Sequence, residues 1–140
     1  MNIALGADHA GFDLKHHLYV YLTGKGYTLQ DFGTHSTASV DYPDYAHQVT
    51  AALAAGHADY GILICGSGNG ICIAANRHVH VRAALCWLPA IAALARAHNN
   101  ANILCLPARY LDLATAELIT TTFLATTFEG GRHQKRIEKI

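Results

Sequence analysis

An apolar run, residues 60–65 (YGILIC), is followed at once by three closely spaced glycines, Gly66, Gly68 and Gly70. A run of this length and character predicts a strand that is buried on both faces, as in a parallel sheet. The chain becomes apolar again over residues 71–76, which predicts a helix. A strand, a glycine loop and a helix N-terminus in this order can bind an oxyanion, because glycine lets the backbone approach a ligand and the first helical N–H groups are unpaired.

Cys65 is the last residue of the apolar run and stands at the start of the glycine loop. Most cysteines beside apolar strands are small core residues. A helix N-terminus, however, can lower the pKa of a nearby thiol, so that the thiolate serves as a base or a nucleophile. Both interpretations of Cys65 are open from the local sequence. The remaining cysteines have no CxxC spacing and are interpreted as reduced core residues of a cytoplasmic protein: Cys72, Cys86 and Cys105.

Strand-like and helix-like segments alternate along the whole chain. The strands are expected at residues 2–6, 27–32, 60–65, 81–87 and 102–106, and the main helices at 14–22, 43–55, 71–76, 89–98 and 112–125. This alternation predicts one α/β domain, residues 1–140, with a parallel sheet covered by helices on both faces. Because ligands of such folds bind at the carboxyl ends of the strands, Asp8, Cys65 and Arg109 should share one edge of the sheet.

Composition argues against two classes of partner. The formal net charge is zero at pH 7, so non-specific binding to nucleic acid has no electrostatic support. No apolar run reaches the roughly 18 residues of a membrane span, and the N-terminal segment lacks the features of a signal peptide. With 51% hydrophobic and 14% charged residues, the chain is expected to form a compact, heavily buried domain.

The glycine loop does not match three familiar phosphate-binding motifs. A dinucleotide fingerprint would need glycine at position 71, and a cysteine phosphatase loop would need arginine there, but the residue is Ile71. A P-loop would need Gly-Lys-Ser/Thr, which is absent. A simple tight turn is the remaining structural explanation, although a serine and an asparagine between the glycines are more than a turn requires.

Other polar residues are weaker candidates when each is considered alone. Asp8 and His9 follow the first strand, where they could bind a ligand or equally cap the next helix. His98, at a helix end, is a candidate acid. Arg132 and Arg136 stand four residues apart and would suit a phosphate dianion, although a basic terminus is more often simply solvated. No HExxH or similar spacing predicts a metal site.

Five segments in register resemble one known family. GADHAG, DYPDYA, GILICGSGNGICIAANR, HNNANILCLPAR and EGGRHQKR, between Gly6 and Arg136, are similar to the ribose-5-phosphate isomerase B family, which includes galactose-6-phosphate isomerase subunits. The resemblance implies a Rossmann-like three-layer α/β/α sandwich with a five-stranded parallel sheet and no metal or organic cofactor. It also implies a homodimer with shared active sites, in which residues 129–140 contact the partner subunit, and it leaves a tetramer open.

The resemblance also implies roles for individual residues. Cys65 would be the general base that moves a proton between C2 and C1 through a cis-enediolate, with Ser67 where the family usually has threonine. His98 would open the sugar ring with help from Asp8, and Asn99 would bind the sugar hydroxyls or the enediolate. The implied contacts with the sugar and its phosphate are Asp8, His9, Tyr42, Gly66, Ser67, Gly68, Asn69, Gly70, Asn99, Arg109, Arg132, His133 and Arg136.

The implied reaction is the interconversion of ribose 5-phosphate and ribulose 5-phosphate. Two alternatives remain open from the sequence. One is the isomerisation of a six-carbon sugar phosphate, such as allose 6-phosphate or galactose 6-phosphate, because the loops do not reveal substrate length. The other is a sugar-phosphate-binding module that does not catalyse a reaction.

Overall fold

The computed structural model describes all 140 residues, Met1–Ile140, as an alternation of strands and helices. The strands are β1 (Asn2–Ala7), β2 (Thr28–Asp31), β3 (Tyr60–Cys65), β4 (Ala83–Leu85) and β5 (Ile103–Pro107). The helices are α1 (Phe12–Gly24), α2 (Tyr42–Ala54), α3 (Asn69–Ala75), α4 (Pro89–Asn99), α5 (Leu113–Ala125) and α6 (Arg132–Ile137), with 3₁₀ turns at His9–Gly11 and Ala108–Tyr110. None of the helices combines the length and the hydrophobicity needed to cross a membrane.

All five strands pair in parallel, in the order β2-β1-β3-β5-β4. The predicted α/β fold with a five-stranded parallel sheet is therefore confirmed. β3 lies at the centre, between β1 and β5, which places Cys65 in the middle of the carboxyl edge. The order of strands changes direction at this point of the sheet, and such points form crevices in open α/β folds.

The central strand explains why the domain has three layers. Successive side chains of a strand point to opposite faces, so Ile62 and Ile64 pack into one core while Leu63 and Cys65 pack into the other. The first core is completed by α1, α4 and α5, and the second by α2 and α3. A strand that is buried on both faces must be apolar throughout, which is the pattern of β3.

Two predicted element boundaries need correction. The strand predicted at residues 81–87 is only three residues long. Val81 is buried but lies outside the strand, in a turn where its N–H donates to the carbonyl of His78. Hydrophobicity alone does not separate such a residue from the strand that follows. α3 begins at Asn69 instead of residue 71, because Gly68 adopts a left-handed φ of 74° and starts the helix early.

Candidate active site

Three loops meet at the carboxyl edge of the sheet, as the alternation of elements predicts. The N–H of Asp8, after β1, donates to the carbonyl of Ile64 at 3.1 Å. The N–H of Arg109, after β5, donates to the carbonyl of Gly66 at 3.1 Å. Backbone hydrogen bonds therefore tie the loops after β1 and β5 to the end of β3, where Cys65 lies.

The first loop holds two polar side chains in fixed positions. Oδ1 of Asp8 accepts the N–H groups of Ala10 and Gly11, at 2.9 and 3.1 Å, so this buried carboxylate does cap the following turn. Oδ2 has no hydrogen-bond partner in the chain. Nδ1 of His9 accepts the N–H of Val40 at 3.2 Å, which leaves Nε2 as the nitrogen that can donate to a ligand.

The glycine loop combines a buried thiol with unpaired backbone donors. Cys65 is only 4% exposed, and its thiol is free of any disulfide. The N–H groups of Gly66, Ser67 and Gly68 donate to no acceptor in the chain, while the N–H of Asn69 donates to Oγ of Ser67 at 3.3 Å. Three adjacent unpaired N–H groups beside a thiol can stabilise negative charge on a bound oxygen atom.

Side chains pack directly on the loop, which explains two of its glycines. A Cβ atom at Gly66 would lie 3.1 Å from Nη1 of Arg109, so the guanidinium covers this residue. A Cβ atom at Gly70 would lie 2.5 Å from Cζ of Tyr42. Arg109 and Tyr42 thus lie against the glycine loop. The loop half-site is defined as the group at this edge: Asp8, His9, Tyr42, Cys65, Gly66, Ser67, Gly68, Asn69, Gly70 and Arg109.

A cleft of about 410 Å³ opens beside the glycine loop. Its walls include Ser67 and Asn69 from the loop and two exposed aromatic residues, Trp87 and Tyr110. No sequence pattern predicted a role for these aromatic residues. Each stands just beyond the end of an apolar strand, β4 or β5. An aromatic residue at that place in the sequence is the signal that could have indicated them.

His98 and Asn99 lie at the opposite, amino edge of the sheet. α4 starts after β4 and runs back along it, so these two residues end the helix shortly before β5 begins. The carbonyl of Asn99 accepts a hydrogen bond from Nε of Arg82, the residue just before β4, at 3.1 Å. A parallel strand rises about 3.3 Å per residue, so more than about 10 Å of β5 separates this edge from Cys65. One chain does not bring His98 and Cys65 together.

The C-terminal tail packs against the end of α4. The N–H of Glu129 donates to the carbonyl of Ala97 at 3.0 Å, and the rings of His98 and His133 stack with centroids 4.0 Å apart and planes 10° from parallel. The tail half-site is defined as the group at this edge: His98, Asn99, Arg132, His133 and Arg136.

The two arginines of the tail half-site are exposed on α6, whereas His133 is only 5% exposed. The pKa of His133 is lowered from its ordinary value, first because the ring is desolvated and then because His98 and both arginines disfavour its charged form. Glu129 opposes this shift. The ring nitrogens of His98 and His133 and the carboxylate of Glu129 form the one His/Cys/Asp/Glu cluster in the chain that could hold a metal ion.

Gly68→Ala is expected to destabilise the protein by about 2 kcal/mol or more, because an L side chain is strained at a φ of 74° and the new methyl group would collide with Leu85. Chemical denaturation measures the loss. Gly24→Ala is the matched control, because nothing lies within 4 Å of its added Cβ. Equal stabilities of the two variants would contradict the loop conformation.

Comparison with known proteins gives matches along the whole chain. A family model described as Ribose/Galactose Isomerase matches residues 3–140. Ribose-5-phosphate isomerase B of Escherichia coli is 47% identical over 138 residues, covering 99% of this chain and 93% of the relative. A putative sugar phosphate isomerase of Rickettsia bellii is 48% identical over 139 residues, covering 99% and 96%.

Solved structures give the same result. A ribose 5-phosphate isomerase from Thermotoga maritima superposes with a TM-score of 0.97 at 54% identity, covering 99% of this chain and 95% of that one. Ribose-5-phosphate isomerase B from Mycoplasma genitalium, with bound ribulose-5-phosphate, superposes with a TM-score of 0.93 at 44% identity, covering 99% and 92%.

Proposed function

The chain belongs to the ribose/galactose isomerase family and is a sugar-phosphate isomerase, and we propose that it interconverts ribose 5-phosphate and ribulose 5-phosphate. The observation that carries this proposal is the thiol of Cys65 beside the unpaired N–H groups of residues 66–68. Moving a proton next to a carbonyl requires a base and a group that stabilises the resulting oxyanion. The glycine loop supplies both.

In the proposed reaction, the thiolate of Cys65 removes the proton from C2 of the open-chain aldose. The electron pair of that C–H bond forms the C1–C2 double bond of a cis-enediolate, and the N–H groups of the loop bind its oxygen. The hydroxyl proton on O2 passes to the negatively charged O1, and the thiol returns its own proton to C1, so that C1 becomes an alcohol as the electron pair left on O2 forms the C2 ketone. The hydroxyl of Ser67 provides a further polar contact at the same end of the substrate.

The sugar ring must open before this proton transfer, and we assign that step to His98 as the acid. Asp8 assists through its free Oδ2, and Asn99 contacts the sugar hydroxyls or the enediolate. Because His98 lies at the opposite edge of the sheet from Cys65, the two cannot serve one substrate within one chain. The proposed site therefore joins the loop half-site of one chain to the tail half-site of a second copy.

Phosphate binding is divided in the same way between the two copies. His9 and Arg109 approach the substrate from the loop half-site, and Arg132 and Arg136 approach it from the tail half-site of the partner. In this arrangement residues 129–140 contact the partner subunit, within a homodimer or a tetramer built from it. His133 joins the group mainly by packing beneath His98, since its ring is buried.

A second candidate substrate is a six-carbon sugar phosphate, either allose 6-phosphate or galactose 6-phosphate. The cleft of about 410 Å³ beside Ser67 favours this possibility, because it leaves room for a longer substrate next to the loop. Trp87 and Tyr110 form an apolar wall of the kind that sugar rings pack against.

NMR spectroscopy of ribose 5-phosphate in heavy water tests the proposal. We expect ribulose 5-phosphate to form, with deuterium from the solvent entering the sugar. Binding without conversion would point to a six-carbon substrate, which is tested in the same way. If both sugar phosphates bind and neither is converted, the chain is a binding module, and the proposed isomerisation is wrong.

Arg136→Ala is expected to weaken the binding of sugar phosphate by about tenfold or more, because one of the guanidinium groups proposed to hold the phosphate dianion is lost. Calorimetric titration measures the effect. Lys139→Ala, which removes an exposed charge from the same tail, is the control and should leave the affinity nearly unchanged. Equal affinities of Arg136→Ala and the parent would assign this arginine to a solvated surface.

A further inference from the structure

His98, Glu129 and His133 come together in a cluster that no local sequence spacing predicts. Nε2 of His133 lies 3.6 Å from Oε2 of Glu129, and Nε2 of His98 lies 3.8 Å from the same oxygen. One ligand atom from each residue lies within 4.8 Å of the other two. Two imidazole nitrogens and one carboxylate oxygen are a set of ligands that Zn²⁺ and its neighbours in the first transition series bind well.

We propose that this cluster is a binding site for a divalent transition-metal ion such as Zn²⁺. With metal–ligand bonds of about 2.1 Å, two ligand atoms of a tetrahedral zinc site lie about 3.4 Å apart. The two nitrogen–oxygen distances in the cluster exceed this value by only a few tenths of an ångström. Three protein ligands leave a fourth position for water.

The buried ring nitrogen of His133 is an independent observation in favour of the site. Nε2 of His133 has no hydrogen-bond partner, although the side chain is almost entirely buried. A buried polar atom without a partner costs free energy, and a bound cation would remove that cost. In the single chain the side chains of Glu129 and His98 are 60% and 35% exposed, so the cluster opens on the side from which the substrate of the proposed shared site would also enter.

Binding requires one local movement. The lone pair of an imidazole nitrogen lies in the plane of its ring, and the rings of His98 and His133 are nearly parallel. Their lone pairs converge on one ion only if a ring turns out of the stack. His98 is the more exposed of the two and lies at the end of α4, so its ring is the one expected to turn. The neighbouring charges of Arg132 and Arg136, which also disfavour the charged form of His133, oppose the cation, and solvent screens them because both side chains are exposed.

The consequence for activity rests on the proposed function. The bound ion would coordinate Nε2 of His98, the residue assigned as the acid in ring opening, so Zn²⁺ is expected to inhibit the isomerase reversibly. The site itself does not depend on that role, and the two statements can be tested separately.

The test is a calorimetric titration of the metal-free protein with Zn²⁺, in a buffer without phosphate or thiols. We expect one ion per chain and an affinity at least about tenfold lower in Glu129→Gln, which removes one ligand from an exposed position. His78→Asn is the matched control. Nδ1 of His47 and Nε2 of His78 lie 2.8 Å apart on the surface, so this pair of imidazoles could also bind zinc.

Equal affinity of the parent and Glu129→Gln would overturn the proposal, and so would a loss of binding in His78→Asn alone. Co²⁺ gives a second measurement: the visible absorption bands of a four-coordinate ion are expected in the parent and not in Glu129→Gln. Zinc inhibition of turnover that a chelator reverses, and that is weaker in Glu129→Gln than in the parent, completes the test, because zinc bound to the thiol of Cys65 would inhibit both proteins equally. Zinc that binds at the cluster without inhibiting would support the site and contradict the role of His98 as the acid.

Discussion

Cys65→Ala is expected to lower kcat by about 10²–10⁴-fold, while the affinity for sugar phosphate stays close to that of the parent. A thiol is far more acidic than the hydroxyl of Ser67, so Cys65 is the group of the glycine loop suited to accept and return a proton, whereas the substrate contacts proposed for that loop come from backbone N–H groups and Ser67. Removing the base therefore affects the transition state much more than the ground state. Steady-state kinetics and calorimetric binding of ribose 5-phosphate measure the two effects separately.

Cys86→Ala is the matched control, because Cys86 is also a buried cysteine next to a strand but packs into the other core. Burial raises the pKa of Cys86 to about 12, so it remains a thiol under ordinary conditions. Its replacement should lower stability and leave kcat nearly unchanged. If Cys65→Ala retained the kcat of the parent, Cys65 would not be the base, and the glycine loop would act through its N–H groups alone.

The central strand and its loop could be predicted because their signals are local. A six-residue apolar run followed by closely spaced glycines specifies both the buried strand and a turn that a side chain would obstruct. The meeting of Asp8, Cys65 and Arg109 at one edge also followed from the sequence, since parallel strands end on the same side. The first of these features depends on a few neighbouring residues, and the second depends only on the order of strands and helices along the chain.

The arrangement of the other residues depends on packing between distant segments. The contact of Glu129 with His98 exists because the tail folds back on α4, and no spacing along the chain encodes it. The cleft beside Ser67 likewise depends on the exposed positions of Trp87 and Tyr110 at the ends of two different strands. The separation of His98 from Cys65 was available from topology, because a helix that follows a strand of a parallel sheet returns to the opposite edge.

A heterodimer of one Cys65→Ala chain and one His98→Asn chain is expected to have about half of the parental activity, although each homodimer is nearly inactive. In a two-fold symmetric dimer, one site of the heterodimer combines both altered residues, and the other combines the intact Cys65 of one chain with the intact His98 of its partner. The measurement uses two differently tagged chains that are expressed together, followed by purification on both tags and a turnover assay.

The activity of the heterodimer depends on whether Cys65 and His98 act within one chain or across two chains. If Cys65 and His98 acted within one chain, both chains of the heterodimer would carry a defect, and no activity would return. A heterodimer of Cys65→Ala with the parent chain is the control, because it should have about half of the activity in either arrangement. Half of the activity in the control, with none in the doubly altered heterodimer, would contradict the shared site. A protein that is monomeric by light scattering and still converts the substrate would contradict it as well. If the control and the doubly altered heterodimer both have about half of the parental activity, the sheet separates the two half-sites in each chain and dimer formation brings them together.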